Sequence, residues 1–314
     1  MVGACPQSWH HWWVRLRTLI PVITAVGAAA LSYAVVVERN WFALRRIDVP
    51  VLPPGSRPLR VLHISDAHLT PGRKRLMSWI RSLDDLAPDL VVNTGDSIAH
   101  PSSVRLFLDS LGPLLNRPGA FVLALSDLYA PQPRNPVMYL GGPSNRKHKD
   151  IDPNLPWEKL RDGMAAGGWL DLSNQRGQLT VGGLSIAFAG VHDSHAKRDR
   201  YELITGRADP AADLRIGVMH SPEPRLLDQF AEDGYDLLLA GHTHGGQLCL
   251  PGYGTLVTNC GLDRARARGL HRHPPGGQTW LHVSAGLGTS PFAPARFACR
   301  PEATVLTLQP RDIG

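Results

Sequence analysis

The segment Gly241-His242-Thr243-His244-Gly245-Gly246-Gln247 sets two imidazoles two residues apart on a glycine-flanked loop. Side chains at that spacing can turn toward one point, and the glycines let the backbone bend tightly and leave room for an ion or a substrate. Neutral imidazole is the commonest protein ligand for divalent transition metals. Three further segments carry related chemistry: Asp66-Ala67-His68, Gly95-Asp96 and His220-Ser221-Pro222. Asp66 and His68 share a side of an extended segment, as two ligands of one ion must. Asp96 offers a carboxylate able to bridge two cations. Alone, each of these three is weak: Asp-x-His is more often a turn, and a single histidine such as His220 is more often hydrogen-bonded in a core or loop. The ordered set points to carboxylate–imidazole ligation, which suits Mn, Fe or Zn better than Ca or Mg.

Each of the four segments follows an apolar run that reads as a buried strand, at 59–65, 89–94, 214–219 and 236–240. Residues 120–125, 184–190, 280–284 and 304–308 read as further strands. Helical periodicity over 73–86 puts Leu76, Met77, Ile80, Leu83 and Leu86 on one face, and 102–115 and 223–232 also read as helices. Strand–helix alternation predicts an α/β fold with parallel strands and helical crossovers, the second half forming a further sheet packed on the first. Ligands at the ends of such strands converge on the usual ligand crevice of open α/β sheets. The polar stretch 131–156, rich in Pro, Asn and Lys, reads as a long surface loop or lid.

The chain has 314 residues, 43% of them hydrophobic, enough for one substantial core. Its net charge of +6 suits anionic substrates or anionic lipid headgroups, and equally ordinary solubility charge. No nucleic-acid-binding motif is present, so no nucleic-acid partner is expected. Cys5, Cys249, Cys260 and Cys299 lack CxxC spacing, which excludes a zinc knuckle. Cys249 and Cys260 flank a turn-prone stretch and could pair outside the cytoplasm, with free buried thiols the favoured state.

Residues 18–37 carry no charge and match the roughly 20 residues a helix needs to cross a bilayer. A cleaved signal peptide and a buried helix are the alternatives to the favoured uncleaved anchor. Arginines stand on both sides and leave the orientation open. The chain thus divides into a tail (1–17), a transmembrane helix or signal anchor (18–37), a linker (38–58) and a folded domain (59–314). Within the linker, proline-rich 49–58 reads as linker or edge segment.

With these motifs in order, the sequence resembles the calcineurin-like metallophosphoesterase superfamily. Within it, the likeness is to membrane-associated or exported bacterial phosphodiesterases, whose loop also reads Gly-His-Thr-His-Gly-Gly-Gln. The resemblance covers roughly 59–308 and implies a four-layer α/β/β/α sandwich with a dinuclear metal centre. Asp66, His68, Asp96 and His244 would hold the first ion, and Asp96, His220 and His242 the second, with Asp96 bridging. Catalysis is placed on Asp96 and His242. The implied reaction is hydrolysis of a phosphodiester or pyrophosphate by a metal-activated hydroxide, with two cations about 3.5–4 Å apart clamping the phosphate. The expected partners are a phosphorylated small molecule or lipid-linked substrate and the cell membrane, reached by a single-pass N-terminal helix; oligomeric state is open.

One motif departs from the family pattern. The third strand is usually followed by Gly-Asn-His-Asp or Gly-Asn-His-Glu, whose Asn binds the second metal and whose His assists the leaving group. Here the stretch reads Ala124-Leu125-Ser126-Asp127. Leu125 cannot coordinate, and Ser126 is no acid near neutral pH. Asp127 is expected to support the second metal weakly or through water, with His100, His192 and His195 as further candidates. The departure motivates an alternative: a weak or inactive pseudoenzyme that binds metal and a phosphorylated ligand or partner. A bland third reading is an anchored α/β domain whose histidines are structural.

Overall fold

The computed structural model describes residues 21–133, 152–195 and 197–311. Most of the loop expected at 131–156 lies outside them. In chain order the elements that frame the molecule are α1 (Pro21–Asn40), β1 (Ala43–Leu52), β2 (Leu59–Ile64), α2 (Lys74–Ser82), β3 (Leu90–Asn93) and α3 (Ser103–Leu111). There follow β4 (Gly119–Phe121), α4 (Leu125–Leu128), α5 (Trp157–Ala166), β5 (Leu170–Asp171), β6 (Gln175–Val181), β7 (Leu184–Gly190) and β8 (Leu214–Val218). The last are α6 (Pro224–Glu232), β9 (Leu237–Ala240), β10 (Cys249–Leu250), β11 (Gly254–Thr255), β12 (Gly269–His273), β13 (Thr279–Val283) and β14 (Glu302–Pro310).

Alternate residues of the strands face different apolar layers, and this alternation generates the architecture. In β2, Leu62 and Ile64 enter one core with Leu76 and Ile80 of α2, Phe107 of α3 and Leu160 of α5. Leu59 and Val61 of β2 enter a second core, opposite Ile216 and Val218 of β8 and Leu237 and Leu239 of β9. Leu238 and Ala240 of β9 enter a third, beneath Leu226, Leu227 and Phe230 of α6. Each such aliphatic or phenyl side chain contributes ~1.5–3 kcal/mol on burial. Three apolar layers separate four structural ones, giving the expected α/β/β/α sandwich.

The two large sheets have six strands each, in the orders β1-β14-β2-β3-β4-β5 and β12-β13-β9-β8-β7-β6. Strands β2 to β5 run parallel, as do β7, β8, β9 and β13. Antiparallel pairing closes the first sheet through β14 on β2, and the second through β12 on β13 and β6 on β7.

Two expectations need correction. Residues 38–58 are not a bare linker: α1 continues to Asn40 and β1 pairs in parallel with β14 from Ala43 to Leu52. The proline content misled, because an edge strand tolerates Pro50, whose missing N–H costs no ladder bond on the open side. The third strand is also shorter than 120–125. β4 ends at Phe121, and Val122 and Leu123 donate to Asn93 O and Ser173 Oγ before α4 begins at Leu125. Cys249 and Cys260 are unpaired buried thiols, and Cys249 clusters with Cys299.

Candidate metal centre

The four motif turns stand at the C-terminal ends of parallel strands, β2 and β3 from one sheet and β8 and β9 from the other. The site therefore sits where the two sheets meet. Five of the six expected ligands have left-handed backbones: Asp66 (φ 52°), His68 (41°), Asp96 (54°), His242 (68°) and His244 (50°). Such a conformation costs a residue with a side chain on the order of 1–3 kcal/mol and persists only where the surroundings dictate it. Here the turns brace one another. Asp66 N donates to Gly95 O, His68 N to Asp96 O, Gly288 N to Asp66 O and Gly241 N to His220 O. Two glycines make the close approach possible. A Cβ on Gly241 would run into Ser65 Oγ and lie 2.6 Å from Asp66 Oδ2, and one on Gly95 would lie 2.7 Å from Ala124 Cβ.

Five ligand-type side chains converge. Asp66, His68 and His244 form one group and Asp66, Asp96 and His220 another, each with its candidate atoms within 4.8 Å of one another. His68 Nε2 lies 3.1 Å from His244 Nε2 and 3.4 Å from Asp96 Oδ2. His244 Nε2 is 3.5 Å from Asp66 Oδ1, and His220 Nε2 is 3.5 Å from Asp96 Oδ2 and 4.0 Å from Asp66 Oδ1. Both carboxylates thus reach both groups. His220 Nδ1 is 2.8 Å from the Thr94 carbonyl, which only accepts, so Nδ1 carries a proton and Nε2 is the nitrogen turned to the pocket. That Nε2 is buried and has no hydrogen-bond partner. An orphaned imidazole nitrogen facing two carboxylates is what a divalent cation requires, and the donor set fits Mn, Fe or Zn.

Burial and mutual charge polarise these groups. Burial opposes ionisation of Asp96, but His220 and His68 outweigh it and hold the carboxyl well below its ordinary range. Burial likewise works against charge on His220, yet Asp96, Asp193 and Asp66 push it up to about 9. On the other side burial dominates: His244 falls to about 3, and His68 also lies below the usual imidazole value.

The remaining expected residues fall differently. His242 lines the pocket but stands outside both groups. Its ring meets those of His220 and His195 at 5.2 and 4.8 Å, its Nε2 lies 3.3 Å from Asn259 O, and its amide donates to both oxygens of Asp66. Asp127 is not aimed at an ion. Its carboxylate accepts the amides of Asp96, Ser97, Ile98 and Ala124, so it buckles the Asp96 turn to its own. Burial and the neighbouring Asp96 charge raise it to about 7, against donation from Ala124 and Ser97. Ser126 donates its amide to Asp96 Oδ1 at 2.8 Å and its hydroxyl to Oδ2 at 3.1 Å, while Leu125 places an apolar side chain on the pocket wall. His100 is exposed and accepts from Ser102 N. His192 Nδ1 accepts from Asp193 N, away from the pocket lining, whereas His195 lies on that lining.

Three supports went unread in the sequence. Thr94 acts through its carbonyl, for which there is no sequence signal. Asp193 links Leu125 N to His195 N, tying the departed motif to the His195 turn. Arg296 is fully buried and caps the His244 loop, donating to the carbonyls of His244, Ala285 and Gly288. A lone arginine in a loop-rich segment gives no hint of this.

Comparison with known proteins agrees with this geometry. A family model described as calcineurin-like phosphoesterase matches residues 59–246. The chain is 28% identical over 266 residues to the uncharacterized metallophosphoesterase YkuE of Bacillus subtilis, covering 84% of this chain and 83% of that one. It is 24% identical over 300 residues to the phosphodiesterase YaeI of Escherichia coli, covering 93% and 96%. It is 26% identical over 318 residues to a bovine transmembrane protein with metallophosphoesterase domain, covering 94% of this chain and 61% of the relative. With the family's strand-end residues gathered at one edge of two sheets, the chain belongs to the calcineurin-like phosphoesterase family.

Proposed function

We propose that the chain hydrolyses a phosphodiester or pyrophosphate, using two divalent cations held by Asp66, His68, Asp96, His220 and His244, with His242 completing the second position. The observation that carries the reading is the pair of overlapping ligand groups joined by Asp66. Bound cations supply positive charge to the phosphoryl oxygens and acidify a nearby water. The chain's own residues set the stage. Ser126 fixes both oxygens of Asp96, Thr94 keeps the His220 proton on Nδ1, and burial makes each charge felt more strongly than in water. Ser126 cannot return a proton to a leaving oxygen. His195, whose ring meets His242 on the pocket wall, is the imidazole we assign to hold that proton.

The relative named a phosphodiesterase supports the choice of ester, and α1 together with the relative named a transmembrane protein supports a single-pass membrane protein acting on a lipid-linked phosphoester. Elemental analysis of the purified chain, combined with hydrolysis of a generic aryl phosphodiester in Mn, tests the function. Asp96→Asn and His242→Ala are expected to abolish turnover, and activity persisting unchanged in both would overturn the reading. Leu125 and the Ser126 hydroxyl on Asp96 favour a second reading, a pseudoenzyme that retains metal and a phosphorylated ligand without turnover. Metal bound at full occupancy with no hydrolysis across a phosphoester panel would select it.

A further inference from the structure

The end of α1 is fastened to the face of the domain that carries the pocket mouth. Ala34 O accepts from Arg296 N, the rings of Tyr33 and Phe297 meet edge to face at 6.2 Å, and Arg39 Nε donates to Thr289 Oγ1. Phe297 in turn exchanges backbone hydrogen bonds with Gln247 and Cys249, at the base of the β10–β11 hairpin. Gln247, Ser290 and Ala293 line the pocket that also holds His68, Asp96, His220, His242 and His244. The helix exit, the hairpin and the pocket rim are therefore neighbours.

That same face exposes apolar side chains among the described residues. Leu248 is 44% exposed, Leu250 49%, Tyr253 63% and Phe292 40%. All other exposed large hydrophobics among the described residues lie in α1 or at Trp41, apart from Leu203. Cationic and aromatic groups border the patch. The Arg264 guanidinium lies 5.7 Å from the Tyr253 ring centroid, and Arg264 and Arg268 line a cleft of about 480 Å³ beside it. At the foot of α1, Arg300 lies 4.1 Å from the Trp41 centroid. Aromatic rings with arginines at the rim of an apolar surface are the composition of a membrane–water boundary.

We propose that Leu248, Leu250, Tyr253 and Phe292 are a second membrane contact. They enter the headgroup–acyl boundary of the bilayer that α1 crosses, with Arg264 and Arg268 meeting anionic headgroups. The pocket mouth then opens at the lipid surface and takes its phosphoester from a substrate anchored in that membrane. This rests on the membrane and hydrolase readings above.

The full chain, in a Cys5→Ser background and reconstituted into vesicles of phosphatidylcholine and phosphatidylglycerol with bromines along the acyl chains, is labelled with a maleimide fluorophore at one introduced cysteine. Cys249, Cys260 and Cys299 are buried and shielded from the reagent. Quenching is expected at Val26→Cys in α1 and at Tyr253→Cys in the patch, and none at Glu232→Cys, at the opposite end of the strands from the site. Quenching at position 26 without quenching at 253 overturns the proposal and leaves the anchor standing, including the case where a second copy shields the patch. No quenching at 26 removes the anchor and the proposal together. A quadruple variant (L248S, L250S, Y253S, F292S) adds a readout on substrate. It should lose about tenfold or more in hydrolysis of a phosphodiester presented in vesicles while keeping its rate on a soluble aryl phosphodiester. Equal loss on both would assign the patch to folding and overturn the proposal, whereas no turnover by the parent on either substrate would sink the hydrolase reading and leave the quenching result intact.

Discussion

Around Asp66, His68 and His244, most groups are held, though His68 Nδ1 is buried without a hydrogen-bond partner. Ser65 donates to Asp66, the His242 amide closes on both Asp66 oxygens, and Arg296 caps the His244 loop. Across the pocket, around Asp96 and His220, one wall is Leu125, His242 faces the Asn259 carbonyl, and Ser126 already occupies Asp96 with two hydrogen bonds. The electrostatics divide the same way. The imidazoles of the first group are held neutral by burial, ready to ligate, whereas His220 is held protonated by the carboxylates around it. A cation entering the second position must displace a proton as well as forgo a ligand. The contrast teaches where the departed motif acts under the two-cation proposal: Leu125 and Ser126 bear on the Asp96–His220 side, and the Asp66–His244 side keeps its supports.

The widest break in the contrast comes from the residue both groups share. Asp66→Ala should empty both positions and lower aryl phosphodiester hydrolysis by about a thousandfold or more, read by metal analysis and steady-state kinetics. Loss of one ion only would show that the halves are independent. Next, Asp127→Ala strips the acceptor from four buried amides and should cost about 3 kcal/mol, seen as a lowered denaturation midpoint. An unchanged midpoint would show that water or a shifted turn satisfies those amides.

Restoring the family pattern narrows the contrast. Leu125→Asn with Ser126→His should strengthen retention of the second ion and raise turnover by about tenfold to a hundredfold. A variant no better than the parent would mean that His195 already serves, and His195→Ala in the parent then tests that role directly. The gentlest probe is pH. With His220 raised to about 9, proton and cation compete for Nε2, so affinity for the second ion should climb by up to about tenfold per pH unit toward pH 9 and then level. With His244 at about 3 and His68 also lowered, affinity for the first ion should be flat over the same range. Chelator competition at several pH values reads both, and two parallel slopes would erase the distinction.

The candidate ligands were legible because each follows an apolar strand, a pattern that survives without any knowledge of tertiary contacts. The layered fold was legible for the same reason: β2, β8 and β9 are nearly continuous apolar runs, as strands buried on both faces must be. β1 was not, because its exposed arginines and Pro50 mask a strand whose pairing partner lies some 260 residues onward in β14. Asp127 was misread as a weak ligand because a carboxylate near a metal motif looks the same whether it meets a cation or a ring of amides. Only the structure, with Asp127 at the third position of α4 behind an extended Ala124, marks it as a capping residue. Arg296 and Glu38 act across long sequence separations, Glu38 by accepting the amides of Ala298 and Cys299, and no local pattern announces them.

The parallel pairing of β1 with β14 has a practical consequence. Trimming the chain at residue 58, the natural choice for a soluble fragment, would strip away not a tether but a ten-residue sheath. The bared edge of β14 would offer its backbone to any other copy, inviting aggregation. A fragment that begins just before Ala43 keeps the edge covered while leaving the apolar helix behind.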